Sequence, residues 1–233
     1  MGIDLIQILK KICSMNLTYG NLTYNQIIKA NNVNIFYENI INEFIKPNYQ
    51  FPSLEESKIE IKNLIPLVNN QVKNPIKRYK EQDENLFNYL QRQTQKLNIV
   101  SDKFTLAILK YLETDINPII LNLKQYWNRA RPNNYAYNLD LPLYPLNAKS
   151  ADTPSYPSGH SLQAGIWADA ILRFKGNNAN IIKSVRNIYK DISNARLSLG
   201  VHFESDIKFS ETITSYIVQN PKYFEFNKQL SYL

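Results

Sequence analysis

The apolar residues of this chain recur mostly at helical spacing, whereas the alternation of apolar and polar positions that marks a β-strand is hard to find. In the first hundred residues the pattern predicts helices over 3–12, over 35–45 before Pro47, over 54–72 with a kink or break at Pro66, and over 76–97. Beyond them it predicts helices over 102–113 with Ser101 as N-cap, 116–130, 158–174, 178–200 and 203–218. The pattern therefore indicates an all-α protein.

One long segment has no helical pattern, because residues 132–157 contain five prolines, too many for a regular element. A loop of this length in a folded protein is usually functional or disordered, and Pro221 later opens a tail that contains Tyr and Phe. We predict a single all-α domain over 1–233, a helical bundle with its active site at helix ends in the C-terminal half. Residues 1–100 would form an N-terminal helical layer, and residues 101–220 would form the core, which carries three short sequence motifs.

Composition excludes several classes of protein and of site. With 233 residues, of which 44% are apolar, the chain can bury a core, which excludes a disordered tail, collagen and a coiled coil. The single cysteine, Cys13, excludes an intramolecular disulfide framework and a Cys-based zinc site. The two histidines, His160 and His202, are too few for a His-rich metal site. We therefore expect no metal and no other cofactor.

The net charge of +7 suggests an anionic partner, such as nucleic acid, an anionic membrane surface or a phosphorylated small molecule. Residues 121–233 hold 13 basic and 8 acidic groups, and the basic ones are scattered rather than grouped in blocks. This distribution favours a local anion pocket over a nucleic-acid-binding tail.

No targeting or membrane segment is evident in the sequence. Residues 1–15 include Asp4, Lys10 and Lys11 and lack a small-residue cleavage site, so they do not have the layout of a secretory signal. No uninterrupted apolar run approaches the roughly 20 residues that cross a bilayer. We expect no transmembrane segment and a cytoplasmic or otherwise soluble protein.

Two segments in the C-terminal half have residues suited to an anion. Lys124 and Arg131 are seven residues apart, so they lie on one face near a helix end; alternatively, they only complement the helix C-terminus. Ser158, Gly159 and His160 follow the proline-rich loop and open a helix, where a serine cap and a glycine provide an anion site. The alternative there is an ordinary serine cap with the histidine in solvent.

A third segment contains Arg196, His202 and Asp206. His202 and Asp206 are four residues apart, so on a helix they stand one turn from each other. A carboxylate in that position can accept the Nδ1–H of the imidazole and leave Nε2 free as a nucleophile or base. The alternative is a surface His–Asp pair of little energetic weight.

In this order, the motifs Lys-x6-Arg-Pro, Pro-Ser-Gly-His and Arg-x5-His-x3-Asp resemble the three-part signature of the type 2 phosphatidic acid phosphatase / vanadium haloperoxidase superfamily. The resemblance covers about residues 105–210. The run Ser-Tyr-Pro-Ser-Gly-His at 155–160 looks most like the soluble bacterial acid phosphatases of that superfamily. One residue departs from the pattern: Ala195 stands where the family usually has serine, which removes one hydroxyl hydrogen bond.

The resemblance implies a phosphate-binding set within these motifs. Lys124, Arg131 and Arg196 would neutralise the phosphoryl oxygens, with forked contacts from the two guanidinium groups. Ser158 and the backbone N–H of Gly159 would donate further hydrogen bonds at a helix N-terminus. Three fixed cations would then take the place of a metal ion.

The resemblance also implies the catalytic groups. His202 would attack phosphorus and form a phosphohistidine, while Asp206 orients its ring. His160 would protonate the leaving alcohol and then activate the water that releases phosphate. The expected activity is that of a metal-independent phosphomonoesterase, with a phosphorylated small molecule or a lipid-like phosphate as the partner and no nucleic acid.

Three alternatives stay open at this point. In a vanadate-dependent haloperoxidase, vanadate would occupy the phosphate pocket and His202 would ligate it, although bromide-oxidising members carry a further active-site histidine that this chain does not have. Lipid phosphate hydrolysis is the second, but lipid-acting members of the superfamily span membranes. A non-catalytic module that binds anions or nucleic acid is the third, and it would not require His160 and His202. Soluble relatives are often oligomers, so a homo-oligomer is also compatible with the resemblance.

Overall fold

The computed structural model describes residues 18–20, 22–31, 37–175 and 177–233. Within these ranges the chain forms helices joined by turns and irregular segments, with one isolated β-bridge between Thr18 and Arg129. The prediction of an all-α fold is confirmed. The predicted helix over 3–12 and Cys13 lie outside the described residues.

The helices are numbered here in chain order. They are α1 (Tyr24–Asn31), α2 (Glu38–Phe44), α3 (Leu54–Lys73), α4 (Lys77–Glu84), α5 (Leu86–Leu97), α6 (Asp102–Tyr111), α7 (Asn117–Trp127), α8 (Pro132–Asn138), α9 (Gly159–Lys175), α10 (Ala179–Ser198), α11 (Glu204–Ile217) and α12 (Pro221–Leu230). A π-helical segment, Leu112–Ile116, joins α6 to α7, and a 3₁₀ turn, Pro47–Tyr49, follows α2.

Helix α3 is continuous, so the predicted break at Pro66 is wrong. The helix starts in a capping box, in which Glu56 accepts a bond from the Ser53 backbone N–H at 2.8 Å. Pro66 removes the bond that its N–H would donate to the carbonyl of Lys62. Both of these residues lie on the exposed side of the helix, where water can bond that carbonyl. The opposite face is buried and holds the helix in place.

The predicted helix over 76–97 is two helices, α4 and α5. Asn85 separates them, and its side chain accepts the first free N–H of α5, from Asn88, at 2.9 Å. The predicted apolar face is buried in both of them, at Tyr79, Leu86, Tyr89 and Leu90. The prediction that Ser101 caps the next helix is confirmed, because its hydroxyl accepts the N–H of Phe104 at 3.0 Å.

Two prolines begin helices that the sequence analysis did not predict. Pro132 is the first residue of α8, inside the segment predicted to have no regular structure, and Pro221 is the first residue of α12, in the predicted tail. Proline fits this position because its fixed φ suits the helix and its missing N–H would be unbonded there anyway. The remainder of the proline-rich segment, residues 139–157, is irregular as predicted.

Helix α9 forms the centre of the core, where it packs against α10 and α11. Buried residues occur on every side of this helix, as expected of a helix surrounded by protein. Its largest side chain, Trp167, is buried, and the indole Nε1–H donates to the Thr94 hydroxyl of α5 at 3.0 Å. The first turn of α9, which carries Gly159 and His160, is therefore fixed by neighbours from both halves of the chain.

The helices that precede residue 100 pack on those that carry the motifs. Helix α3 contacts α8 and α10, and α4 contacts α10. Arg78 of α4 donates two hydrogen bonds, of 2.8 and 2.6 Å, to the carboxylate of Asp191 on α10. In the described part of the chain, no helix combines the length and apolar character needed to cross a membrane.

The close packing around Gly200 can be tested by substitution. It lies in the turn after α10 with φ of +71°, and a Cβ there would lie 2.9 Å from Val68 and 3.2 Å from Pro145. We expect Gly200→Ala to lower the free energy of unfolding by about 1–3 kcal/mol, because it adds both backbone strain and steric overlap. Denaturant unfolding of the purified protein measures this change.

Gly20→Ala is the matched control, because Gly20 also has a positive φ, +113°, but no atom lies within 4 Å of its added Cβ. We expect a smaller loss in this variant. Equal losses in the two would show that Gly200 is required by its backbone angle and not by close packing.

Candidate active site

The first turn of α9 packs against α7. A Cβ on Gly159 would lie 3.4 Å from Ile120 and 4.0 Å from the Lys124 side chain, which are ordinary van der Waals distances. Ser158 is fully buried, and its backbone N–H donates to the Asp206 carbonyl at 3.2 Å. Its hydroxyl lies 3.0 Å from that of Ser161, in contact distance for a hydrogen bond. The second motif is thus joined to the first and third.

His202 and Asp206 are in contact, as predicted, but not as neighbours on one helix face. Helix α11 begins at Glu204, so His202 precedes it. The Asp206 carboxylate reaches back from the first turn, where its Oδ2 accepts the Phe203 N–H at 2.9 Å and the His202 Nδ1–H at 3.0 Å. The geometry is that of a helix N-terminus, in which a side chain accepts free backbone N–H groups.

The hydrogen bonds of His202 determine its tautomer. Nδ1 faces a carboxylate, which only accepts, and Nε2 lies 2.9 Å from Nη1 of Arg131, which only donates. The neutral ring therefore carries its proton on Nδ1 and has its lone pair on Nε2. Burial lowers the pKa of His202 well below its usual range, and the charges of Arg131 and Lys124 act in the same direction.

Backbone carbonyls hold two of the predicted cations. The ammonium of Lys124 donates to the carbonyl of Pro154, and Arg131 donates to the carbonyls of Thr153 at 2.8 Å and Val201 at 2.7 Å. Burial lowers the pKa of Arg131 to about 10. Burial also lowers the pKa of Lys124 well below its usual value, with a further contribution from Arg131. An anion would relieve both effects.

The third cation, Arg196, is held by a carboxylate. Its Nη1 donates to Asp83 at 3.0 Å and to the Ser150 hydroxyl at 3.1 Å. The Lys149 backbone N–H also donates to Asp83, at 2.6 Å. Among the described residues, the buried Nε and Nη2 of Arg196 have no hydrogen-bond partner. A buried guanidinium with two free donor atoms is suited to an anionic ligand.

His160 is oriented by the residue that precedes Asp83. Its Nε2–H donates to the backbone carbonyl of Gln82 at 3.2 Å, so in the neutral ring Nδ1 is the acceptor. Burial lowers the pKa of His160 well below its usual range, and the charge of Arg196 acts in the same direction. Gln82 and Asp83, which are consecutive residues of α4, thus position His160 and Arg196, respectively.

A cavity of about 260 Å³ brings these groups together. Five of the eight predicted residues line it: Lys124, Arg131, Gly159, His160 and His202. The other three, Ser158, Arg196 and Asp206, are fully buried. The Ser150 side chain lines the cavity and bonds Arg196, so this cation is one hydrogen bond from the space. The cavity is small, and its lining includes Lys29, Lys124 and Arg131 against one carboxylate, Asp152, so this excess of cations suits it to a phosphate-sized anion.

The sequence analysis missed several charged residues of the site. Asp83 lies in a strongly polar segment where nothing distinguishes it from its charged neighbours. Arg129 is within the first motif but was given no role; it is fully buried and pairs with Asp206 at 2.6 Å and with Glu60 at 3.1 Å. Its place two residues before Arg131 was the available signal. Ala195, the departure from the family pattern, is fully buried on α10.

In the ranges that the structure describes, no group of three or more His, Cys, Asp or Glu side chains is placed to hold a metal ion.

Comparison with known proteins gives the family. No curated protein matches the chain. A family model described as the PAP2 superfamily matches residues 104–219, which include all three motifs. Members of this superfamily are generally phosphatases or phosphoesterases. By this match, and with the helical fold described above, the chain belongs to the PAP2 superfamily.

Proposed function

We propose that the protein is a metal-independent phosphomonoesterase that acts through a phosphohistidine intermediate on a soluble or peripheral phosphorylated substrate. One observation carries the proposal. His202 lines a cavity together with Lys124 and Arg131, its Nε2 is unprotonated and accepts a hydrogen bond from Arg131, and Asp206 holds the ring from the other side. A neutral imidazole with a fixed tautomer is the form that can attack phosphorus.

The cations supply the binding site for the phosphoryl group. In the free protein, Arg131 donates to Nε2 of His202, and a phosphoryl oxygen would replace that nitrogen as the acceptor. The two unpartnered donor atoms of Arg196 supply further bonds. Ser158 and the backbone N–H of Gly159 are at the N-terminus of α9, where the helix dipole favours an anion. These donors also stabilise the charge that grows on the phosphoryl oxygens during the reaction.

The reaction takes two steps. In the first, the lone pair of His202 Nε2 forms the N–P bond while the ester P–O bond breaks, and protonated His160 gives a proton to the departing alcohol. In the second, His160 takes a proton from water, the resulting hydroxide attacks phosphorus, and the N–P bond breaks to release phosphate. Because Nε2–H of His160 is bonded to Gln82, the proton it transfers is the one on Nδ1.

The nucleophile is tested by His202→Ala. We expect hydrolysis of an aryl phosphate to fall by at least roughly 10³-fold, because no other group can form the intermediate. In the wild-type protein, hydrolysis should be insensitive to EDTA and inhibited by vanadate, and rapid acid-free quenching should trap an acid-labile phosphate on the protein.

Lys208→Ala, an exposed change on the same helix as Asp206, is the control and should keep full activity. Unchanged turnover in His202→Ala would rule out the mechanism, and loss of activity in EDTA would rule out its metal-free form. Halide oxidation with vanadate and peroxide, without phosphatase activity, would favour the haloperoxidase reading.

The acid–base role of His160 predicts the pH dependence. Burial and Arg196 lower the pKa of His160 below its usual 6.5, so the protonated form that donates a proton is scarce at neutral pH. Above pH 6, where Asp206, whose pKa is raised to about 6, is ionised, we therefore expect kcat/KM to fall as pH rises to about 8. His160→Ala should lose much more activity on an alkyl phosphate than on a nitrophenyl phosphate, whose leaving group needs no proton. Equal losses on both substrates would exclude His160 as the acid.

The orienting role of Asp206 is tested by Asp206→Asn. We expect kcat to fall roughly 10²- to 10⁴-fold, because the amide can donate to Nδ1 and so favour the wrong tautomer of His202. Asp169→Asn, which changes an exposed ion pair with Arg173, is the matched control. Wild-type rates in Asp206→Asn would refute the orienting role.

A further inference from the structure

Arg129 lies on the side of Asp206 opposite to His202. Its Nη1 donates to Asp206 Oδ1 at 2.6 Å, while Oδ2 of the same carboxylate accepts the Nδ1–H of His202. Arg129 does not line the cavity and so is out of reach of a substrate there. Arg129 therefore contacts His202 only through Asp206, which accepts from Arg129 with one carboxylate oxygen and from His202 with the other.

Arg129 is held in this position from several directions. Its Nη2 donates to Ser57 at 2.9 Å and to Glu60 at 3.1 Å, both on α3, and its Nη1 also donates to Ser205 at 2.8 Å. The guanidinium carbon lies 3.7 Å from the centre of the Phe203 ring, a cation–π contact. The guanidinium group therefore has little freedom to move away from Asp206.

Glu60 connects this arrangement to helix α11. Its carboxylate accepts the backbone N–H of Ser205 at 2.7 Å and the Ser205 hydroxyl at 2.8 Å, in the first turn of the helix that carries Asp206. A carboxylate at a helix N-terminus is stabilised by the free N–H groups and the helix dipole. Glu60 thus fixes both Arg129 and the turn from which Asp206 reaches His202.

We infer that Arg129 and Glu60 are positioning residues that set the ionisation of Asp206 and, through it, the tautomer and reactivity of the nucleophile His202. The inference deepens the proposed function and rests on it. Glu60 lies outside the matched residues 104–219, so the chain's N-terminal layer would influence the chemistry through Arg129 and Asp206.

Arg129 and Glu60 shift the pKa of Asp206 in opposite directions. Burial raises the pKa of Asp206 to about 6, Arg129 and Arg131 lower it, and Glu60 raises it. The other titratable groups that interact with this carboxylate are His202, Lys124 and Tyr156. Removing the charge of Arg129 therefore favours the protonated carboxyl, whereas removing the charge of Glu60 favours the carboxylate.

The test uses NMR of ¹⁵N-labelled imidazoles in the full chain, made without a polyhistidine tag. The chain has two histidines, so His160→Ala assigns both signals. In the wild type, we expect His202 to carry its proton on Nδ1 at neutral pH. In Arg129→Met, the pH at which this tautomer is lost should rise by about one unit or more. In Glu60→Gln it should fall, and Arg129→Lys should restore most of the wild-type value.

Turnover gives a second measurement. In Arg129→Met, Asp206 should protonate at a higher pH. For each pH unit by which this transition lies above the assay pH, we expect kcat to fall roughly tenfold. KM should stay nearly unchanged, because Arg129 does not touch the substrate. Arg173→Met, which removes an arginine paired to an exposed carboxylate, is the control and should change neither kcat nor the NMR transition.

The outcomes separate the two proposals. Transitions that shift in the same direction, or not at all, in Arg129→Met and Glu60→Gln would overturn the inference, even in an active phosphatase. A wild-type protein that hydrolyses no phosphate ester would overturn the proposed function, whatever the NMR shows. If Arg129→Met does not fold, Arg129→Lys and Glu60→Gln decide the matter: the first should keep nearly the wild-type transition and the second should lower it, and equal transitions in the two would overturn the inference.

Discussion

The structure depends on the burial of four cations in one region. Lys124, Arg129, Arg131 and Arg196 are each at most 3% exposed. Two of them pair with carboxylates: Arg129 with Asp206 and Glu60, and Arg196 with Asp83. In the described ranges, the hydrogen bonds of Lys124 and Arg131 go mainly to backbone carbonyls, which are dipoles and not charges. The cavity is therefore left with a positive potential that a bound anion would neutralise.

The irregular segment 139–157 follows from the same constraint. Carbonyl groups in a loop have no helical partners and must be bonded elsewhere when they are buried. Here the carbonyls of Thr153 and Pro154 accept from Arg131 and Lys124, and the loop serine Ser150 bonds Arg196. The loop and the cations thus satisfy one another's hydrogen bonds. This is why a segment with so many prolines is held against the site.

The sequence predicts the parts of the site whose contacts are local. The helices beside the first and third motifs have apolar periodicity. The pairing of His202 with Asp206 joins residues that are four apart, although the reason is the helix N-terminus and not a shared helix face. Contacts that join distant residues have no such signal. Arg129 and Asp206 are 77 positions apart, and Asp83 and Arg196 are 113 apart. The break expected at Pro66 failed because exposure, which a local rule does not include, decides its cost.

The N-terminal layer completes the site. Glu60 contacts the cation that holds Asp206, the Gln82 carbonyl orients His160, and Asp83 bonds Arg196. All three precede residues 104–219, the part of the chain that matches the family. The matched part therefore supplies the groups that would contact a phosphate, whereas α3 and α4 supply the partners that fix their charge and orientation. A protein that shared only the three motifs would keep the reacting groups but would need other residues to hold two of the cations and the acid. Substitutions in the N-terminal layer could therefore change the reactivity of the groups that would contact a phosphate without replacing any of those groups.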